Sequence, residues 1–186
     1  MPRPQLHPED AIMDAARAVV LERGARGATI GAIADASGAP TGSIYHRFTS
    51  VDELLARLWM RAMRRVQSVM AAAAEPVETA LAVYDFCLRE REDALLLSSF
   101  RLDDFAAADL APDARVQLEQ LNQEINPMID ALAAEFGGPA ARDTVLLVIR
   151  DLPYGAALPH LRAGTIPPPQ RRARLEAAVR AALSAR

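Results

Sequence analysis

The chain has 186 residues, 51% of them hydrophobic, 24% charged and 5% aromatic, with a net charge of −3. A chain this long buries roughly 70% of its unfolded surface without staples, and its one cysteine, Cys87, excludes an internal disulfide or a cysteine-based zinc site. Charges interrupt every apolar stretch before membrane-spanning length, and the opening MPRPQLHPED lacks a secretory apolar run, so a soluble cytoplasmic protein is expected, with no membrane partner.

In chain order, Pro8-Glu9-Asp10 suits a helix N-terminus, and Ile12, Ala16, Val19 and Val20 fall on one face of the helix that Gly24 ends. Thr29 can cap a second helix, carrying Ile30, Ile33 and Ala34, which Ser37-Gly38 stops after about two turns. Pro40 is tolerated at the start of a third short helix, Thr41 to Phe48. Thr49-Ser50 caps a fourth, with Asp52 and Glu53 in its first turn, extending toward Ala74. Pro76 breaks the chain before a helix from Val77 to Arg91, and an apolar stretch runs from Ala94 to Phe105. A long helix from Asp113 to Phe136 should kink at Asn126-Pro127, and Gly137-Gly138-Pro139 ends it. Between Ala140 and about Arg162, Pro153 and Pro159 predict a kink or break. A proline-rich loop, Thr165 to Pro169, precedes a last helix from Gln170 to Arg186. The expected fold class is all-α.

Two short helices joined by a glycine-containing turn make a helix-turn-helix layout, which any helical bundle can contain. The residues sharpen it. Gly24, Thr29, Ile33-Ala34, Gly38, Gly42-Ser43-Ile44-Tyr45 and Phe48, followed by Ser50 and Asp52-Glu53-Leu54-Leu55, resemble the N-terminal domain of the TetR family of bacterial transcriptional repressors. The resemblance covers about residues 9–55 in one register. It implies a three-helix DNA-binding domain over 6–66, with the helix-turn-helix at about 29–48, and a helical ligand-binding and dimerisation domain over 67–186. The sequence departs from the family at Ala39 and Pro40, where Val and Ser are usual, and at Arg47 in place of His. Val51 replaces a lysine that commonly reaches a phosphate, which puts one backbone contact in doubt.

The N-terminal residues of a recognition helix approach base edges in the major groove. Here those are Pro40, Thr41, Gly42 and Ser43. The Thr41 and Ser43 hydroxyls can donate or accept, Pro40 and the Thr41 methyl can touch a thymine methyl, and Gly42 allows close backbone approach. Tyr45 and His46 lie further along, suited to phosphates; the resemblance gives Tyr45 a phosphate contact, against the alternative of packing on the first helix. By the same resemblance Thr29 and its helix start meet a phosphate. Ser50, beside a helix N-terminus, can hydrogen-bond an oxyanion. Arg26 and Arg3 are weaker candidates, and Phe48 reads as core.

Residues 1–50 carry five arginines (Arg3, Arg17, Arg23, Arg26, Arg47) and five acids (Glu9, Asp10, Asp14, Glu22, Asp35), so the head is neutral. Binding should therefore show a shallow salt dependence, with hydroxyls, amides and helix N-termini doing much of the positioning. Arg57, Arg61, Arg64 and Arg65 form a stripe that could be a basic flank facing DNA, but it leads away from the groove and is read as a solvated or acid-paired face.

A helix-turn-helix reads two half-sites as a two-fold dimer, and the last two helices, with Leu175, Val179 and Leu183, offer apolar faces for a homodimer; they could instead only cap the monomer core. The resemblance implies the same dimer, bound to an inverted-repeat operator in double-stranded DNA. It also implies a small-molecule effector in the C-terminal domain, with Trp59, Met63, Tyr84, Cys87, Phe100 and Met128 as pocket candidates. Cys87 reads as a buried small hydrophobe. No phosphate loop, nucleophile elbow or H-E-x-x-H is present, so catalysis, a cofactor and a metal are not expected. The expected function is transcriptional regulation, as a repressor released by ligand. The rival is a helical dimeric interaction protein of the same fold, which the neutral head favours and the intact Thr41–Tyr45 segment disfavours.

Overall fold

The structure, a computed structural model, describes residues 8–73, 75–105 and 108–185. Among them every regular element is helical, and two compact units form.

The first unit comprises 8–62 with 96–119. Helix α1 (Glu9–Arg23) starts with Glu9 and Asp10 at its positive end and stops at Gly24, whose φ of 75° favours glycine. A 3-10 turn (Ala25–Gly27) leads to α2 (Ile30–Ser37), and Gly38 in the left-handed region (φ 68°, ψ 5°) turns the chain into α3 (Thr41–Tyr45). Helix α4 (Val51–Ala71) follows. Helix α1 packs on α2, and α2 on α3. Ile12, Ala16, Val19, Val20, Ile33 and Ile44 are buried, and so is Phe48, the expected core aromatic.

Helix α3 ends three residues earlier than the periodicity predicts. The Arg47 guanidinium donates to the Ser43 carbonyl at 2.7 Å, satisfying an acceptor that a continuing helix would have used. The chain then turns through His46 and Arg47, which lets Phe48 enter the core and Ser50 cap α4. A 3-10 turn (Leu102–Phe105) completes the unit, with the Phe105 ring 5.7 Å from Trp59 and 5.5 Å from Phe100.

The second unit holds 63–95 and 120–185. It contains α5 (Pro76–Arg89), most of α7 (Pro112–Phe136), a 3-10 turn (Pro139–Ala141), α8 (Arg142–Leu146), α9 (Leu152–Ala163) and α10 (Gln170–Ser184). Helix α6 (Arg91–Ser99) begins in it. Helix α5 packs against both α9 and α10, burying Val83, Phe86 and Cys87. The Arg172 guanidinium grips Asp85 with two nitrogens at 3.0 and 3.1 Å, tying α10 to α5.

Two prolines expected to disturb helices behave differently. Helix α7 continues through Pro127, although proline removes the amide that would have bonded to the Gln123 carbonyl. Before Pro153 the helix widens into a π turn (Leu147–Asp151), and the Leu152 amide bonds back to the Leu147 carbonyl, five residues earlier. That extra residue per turn relieves the clash of the proline ring with the preceding turn, so the chain bulges instead of breaking.

Candidate nucleic-acid interface

Thr29 caps α2 through its hydroxyl oxygen, which accepts from the Ala32 amide at 3.2 Å. In the turn, the Ser37 hydroxyl accepts from the Ala39 amide at 3.2 Å. These bonds and the left-handed Gly38 fix how α3 is presented. Pro40, Thr41, Gly42, Tyr45 and His46 are exposed, and Ser43 is half-buried. Pro40 starts α3 with its carbonyl accepting from the Ser43 amide at 2.8 Å. A Cβ added at Gly42 would meet nothing within 4 Å, so the fold itself places no demand for glycine there. The Ser43 hydroxyl accepts from Arg47 at 2.7 Å, leaving its own proton to donate outward.

Tyr45 is 58% exposed, so its ring is not buried in the core. Arg26, Thr29, Tyr45 and Ser50 line one open groove of about 670 Å³. Asp52 and Asp104 line it too, so no strong positive field fills it. Arg3 and His7 lie outside the described residues.

Ser50 is more occupied than its sequence context suggests. Its oxygen accepts from the Glu53 amide at 3.0 Å, and its hydroxyl donates to the Asp109 carbonyl at 3.3 Å. Ser50 thus caps the start of α4, as the S-x-x-E spacing could have signalled, while Glu53 reaches back one residue further, to Thr49, and not to the Ser50 amide of a capping box. Glu53 is buried, accepts from the Thr49 amide at 2.8 Å and from the Thr49 hydroxyl, and pairs with Arg57 at 2.8 Å. Burial alone would raise this carboxyl, but the Thr49 bonds and Arg57 outweigh it and hold it below the usual glutamate range. Arg57 also reaches Asp113 at 2.7 Å, which its guanidinium likewise holds low.

The rest of the arginine stripe is largely committed to acids. Arg61 bridges Asp10 at 2.8 Å and Asp14 at 2.5 Å, and Arg65 pairs with Asp93 at 2.7 Å.

The six pocket candidates are dispersed. Trp59 and Phe100 flank Phe105 in the first unit, and the buried Trp59 indole N–H has no acceptor among the described residues. Met63 is half-buried at the start of the second unit's part of α4. Tyr84 and Cys87 are buried core of α5. Desolvation pushes the Cys87 thiol up to about 12, so it is neutral and unreactive at neutral pH. Met128 lines a cavity of about 480 Å³ with Met70, Ile125 and Leu132. Nothing in the sequence separated that α4–α7 lining from ordinary core stripes.

Among the described residues no helix is long and apolar enough to cross a membrane.

Residues 12–58 match the family described as bacterial regulatory proteins, tetR family. No curated protein matches the chain. Among solved structures, a TetR-like transcriptional regulator from Rhodococcus sp. RHA1 is 19% identical with a TM-score of 0.67, covering 99% of this chain and 100% of that one. The transcriptional regulator FadR from Bacillus subtilis, in complex with stearoyl-CoA, is 16% identical with a TM-score of 0.66, over 95% and 98%. The ketosteroid transcriptional regulator KstR2 of Mycobacterium tuberculosis is 19% identical with a TM-score of 0.62, over 96% and 95%. Residues 12–58 thus match the tetR family of bacterial regulatory proteins over the helix-turn-helix, and the chain shares the all-α fold of TetR-like regulators along nearly its whole length.

Proposed function

We propose that the chain is a homodimeric, sequence-specific DNA-binding repressor that a small-molecule effector releases from an inverted-repeat operator. Residues 6–66 serve as the reading domain and 67–186 as the effector and dimerisation domain. One observation carries the reading: α3 offers Pro40, Thr41 and Gly42 exposed at its N-terminal end, with Thr29 and Tyr45 exposed on the flanking groove. That arrangement suits insertion of a helix start into a major groove with hydroxyls on the adjoining phosphates. Thr41 and Ser43 read base edges, Thr29, Tyr45 and His46 hold phosphates, and Ser50 contributes through the start of α4.

An effector acts by binding the DNA-free arrangement more tightly than the DNA-bound one. The cavity around Met128 is the effector site supported best, because there a candidate side chain lines open space of ligand size together with the apolar Met70, Ile125 and Leu132. A relative of the same fold solved with stearoyl-CoA supports a small-molecule effector.

The test is to incubate the purified protein with a random duplex library at about 0.1 M salt and sequence the retained DNA, since phosphate contacts weaken steeply above that. An enriched inverted repeat is expected. A folded dimer that enriches nothing, even at lower salt and after removal of any bound small molecule, overturns the DNA-reading assignment.

A further inference from the structure

The second unit carries two neighbouring clefts along α4. The first, about 480 Å³, is walled by Met70, Ile125, Met128 and Leu132, with Gln67 and Thr79 among its polar members. Its volume falls within the roughly 300–1,000 Å³ of small-molecule sites. The second, about 580 Å³, is lined by Arg64, Arg65 and Arg89 above Val69 and Phe86, with Glu90 as its one acid. Arg64 and Ser68, one helical turn apart, line both clefts, so the two open on either side of the same pair of residues.

Their chemistries are complementary. Arg65 is committed to Asp93. Arg89 is exposed and makes no salt bridge among the described residues. Glu124 lines the apolar cleft, where it disfavours a second anion. An occupant with a negative end is therefore directed head-first toward the arginines and tail-first toward the methionines. The methionines, unbranched and soft, adapt to a flexible chain.

We infer that the two clefts together bind one amphipathic anion, its aliphatic chain against Met70, Ile125, Met128 and Leu132 and its phosphate or carboxylate head held by Arg64 and Arg89. This names the effector class of the site proposed above and rests on that reading only for its regulatory consequence.

The experiment is isothermal titration of the full chain, below micelle-forming concentrations, with dodecyl phosphate, dodecanoate, dodecyltrimethylammonium and inorganic phosphate. At least one of the two alkyl anions is expected to bind one per chain, about tenfold or more tighter than the alkyl cation, in keeping with a charge-assisted contact. The tighter of the two identifies the head as phosphate or carboxylate, and inorganic phosphate alone should not saturate. Arg89→Ala, at an exposed position that leaves the fold intact, should weaken the anion about tenfold and leave the cation unchanged. Met128→Trp should fill the first cleft and abolish binding of the alkyl anion. Equal binding of anion and cation, or unchanged anion affinity in Arg89→Ala, overturns the site. The library selection, run in parallel, separates the two readings. An enriched operator without anion binding overturns this inference alone, whereas anion binding without an operator overturns the regulator reading and leaves the site standing.

Discussion

Tyr45 offers a hydroxyl that the folded chain does not use. Its ring is 58% exposed, and no described residue bonds its oxygen, so Tyr45→Phe should leave thermal stability within about 0.5 kcal/mol. If the hydroxyl holds a phosphate, the same change lowers affinity for the selected operator roughly fivefold or more, as a lost hydrogen bond would. A fluorescence-anisotropy titration showing unchanged affinity would remove Tyr45 from the interface. Glu53 is the opposite case, a buried carboxylate that the fold needs. Its carboxyl titrates below the usual glutamate value because the Thr49 bonds and Arg57 outweigh its desolvation. A depressed carboxyl contributes stability that is fully present above the unfolded value, about 4.3, and lost as pH falls through the lower folded value. Denaturant midpoints measured from pH 6 down to pH 3 should therefore fall in the native chain. They should fall less in Glu53→Gln, which starts less stable at neutral pH by about 1–3 kcal/mol. Parallel acid limbs in the two proteins would show that Glu53 does not carry this dependence.

At the scale of elements, the helix-turn-helix was legible because punctuation fixes it. Gly24 and Gly38 sit at positive φ, where glycine is favoured, and the Thr29 hydroxyl caps the helix it was expected to cap. The end of α3 was not legible, because Arg47 takes the Ser43 carbonyl through a side-chain bond that no hydrophobic period reports. The π turn before Pro153 escaped for a related reason: proline announces a disturbed helix, but whether it breaks or bulges depends on packing against α5. The cavity proposed for an effector was the least legible part, since Met128 on α7 and Met70 on α4 converge only through the tertiary fold. Gly42 supplies a prediction at this scale. Nothing among the described residues crowds a Cβ there, so Gly42→Ala should stabilise α3, by up to about 1 kcal/mol from helix propensity. If the duplex backbone or a base edge comes close, the same substitution weakens operator binding at least severalfold. A variant that melts higher and binds worse identifies a glycine kept for DNA; one that melts higher and binds equally well shows that Gly42 makes no such approach.

At the scale of the whole molecule, the neutral balance of the first fifty residues sets the salt response. With few arginines available to phosphates per head, log K against log salt should slope at about −2 to −4, since each neutralised phosphate contributes about −0.9. A slope steeper than about −7 would mean that basic residues outside the head engage the duplex. The proposed dimerisation is the other whole-molecule matter, and burial decides which face of the last helix is left for it. Leu175 and Val179, read from sequence as an apolar face for a partner, are buried within the chain's own second unit. Among the residues that α10 leaves exposed, beside Arg172, Arg174 and Arg180, is a row of small side chains, Ala173, Ala177 and Ala181, at intervals of four residues, and α9 exposes Gly155 and Pro159. Small residues in a row let a second helix approach closely, and a two-fold axis would bring the same row from both copies together. Ala177→Arg places a guanidinium in the middle of that row at little cost in helix propensity. Sedimentation equilibrium should then show a monomer where the native chain, on the proposed function, runs as a dimer, with helical content unchanged by circular dichroism. Operator affinity should fall by about a hundredfold or more, because two linked heads gain from effective concentration what separate heads cannot. Ala177→Ser, which keeps the row small, should behave as the native chain. A dimer that survives Ala177→Arg moves the two-fold contact away from the alanine row of α10.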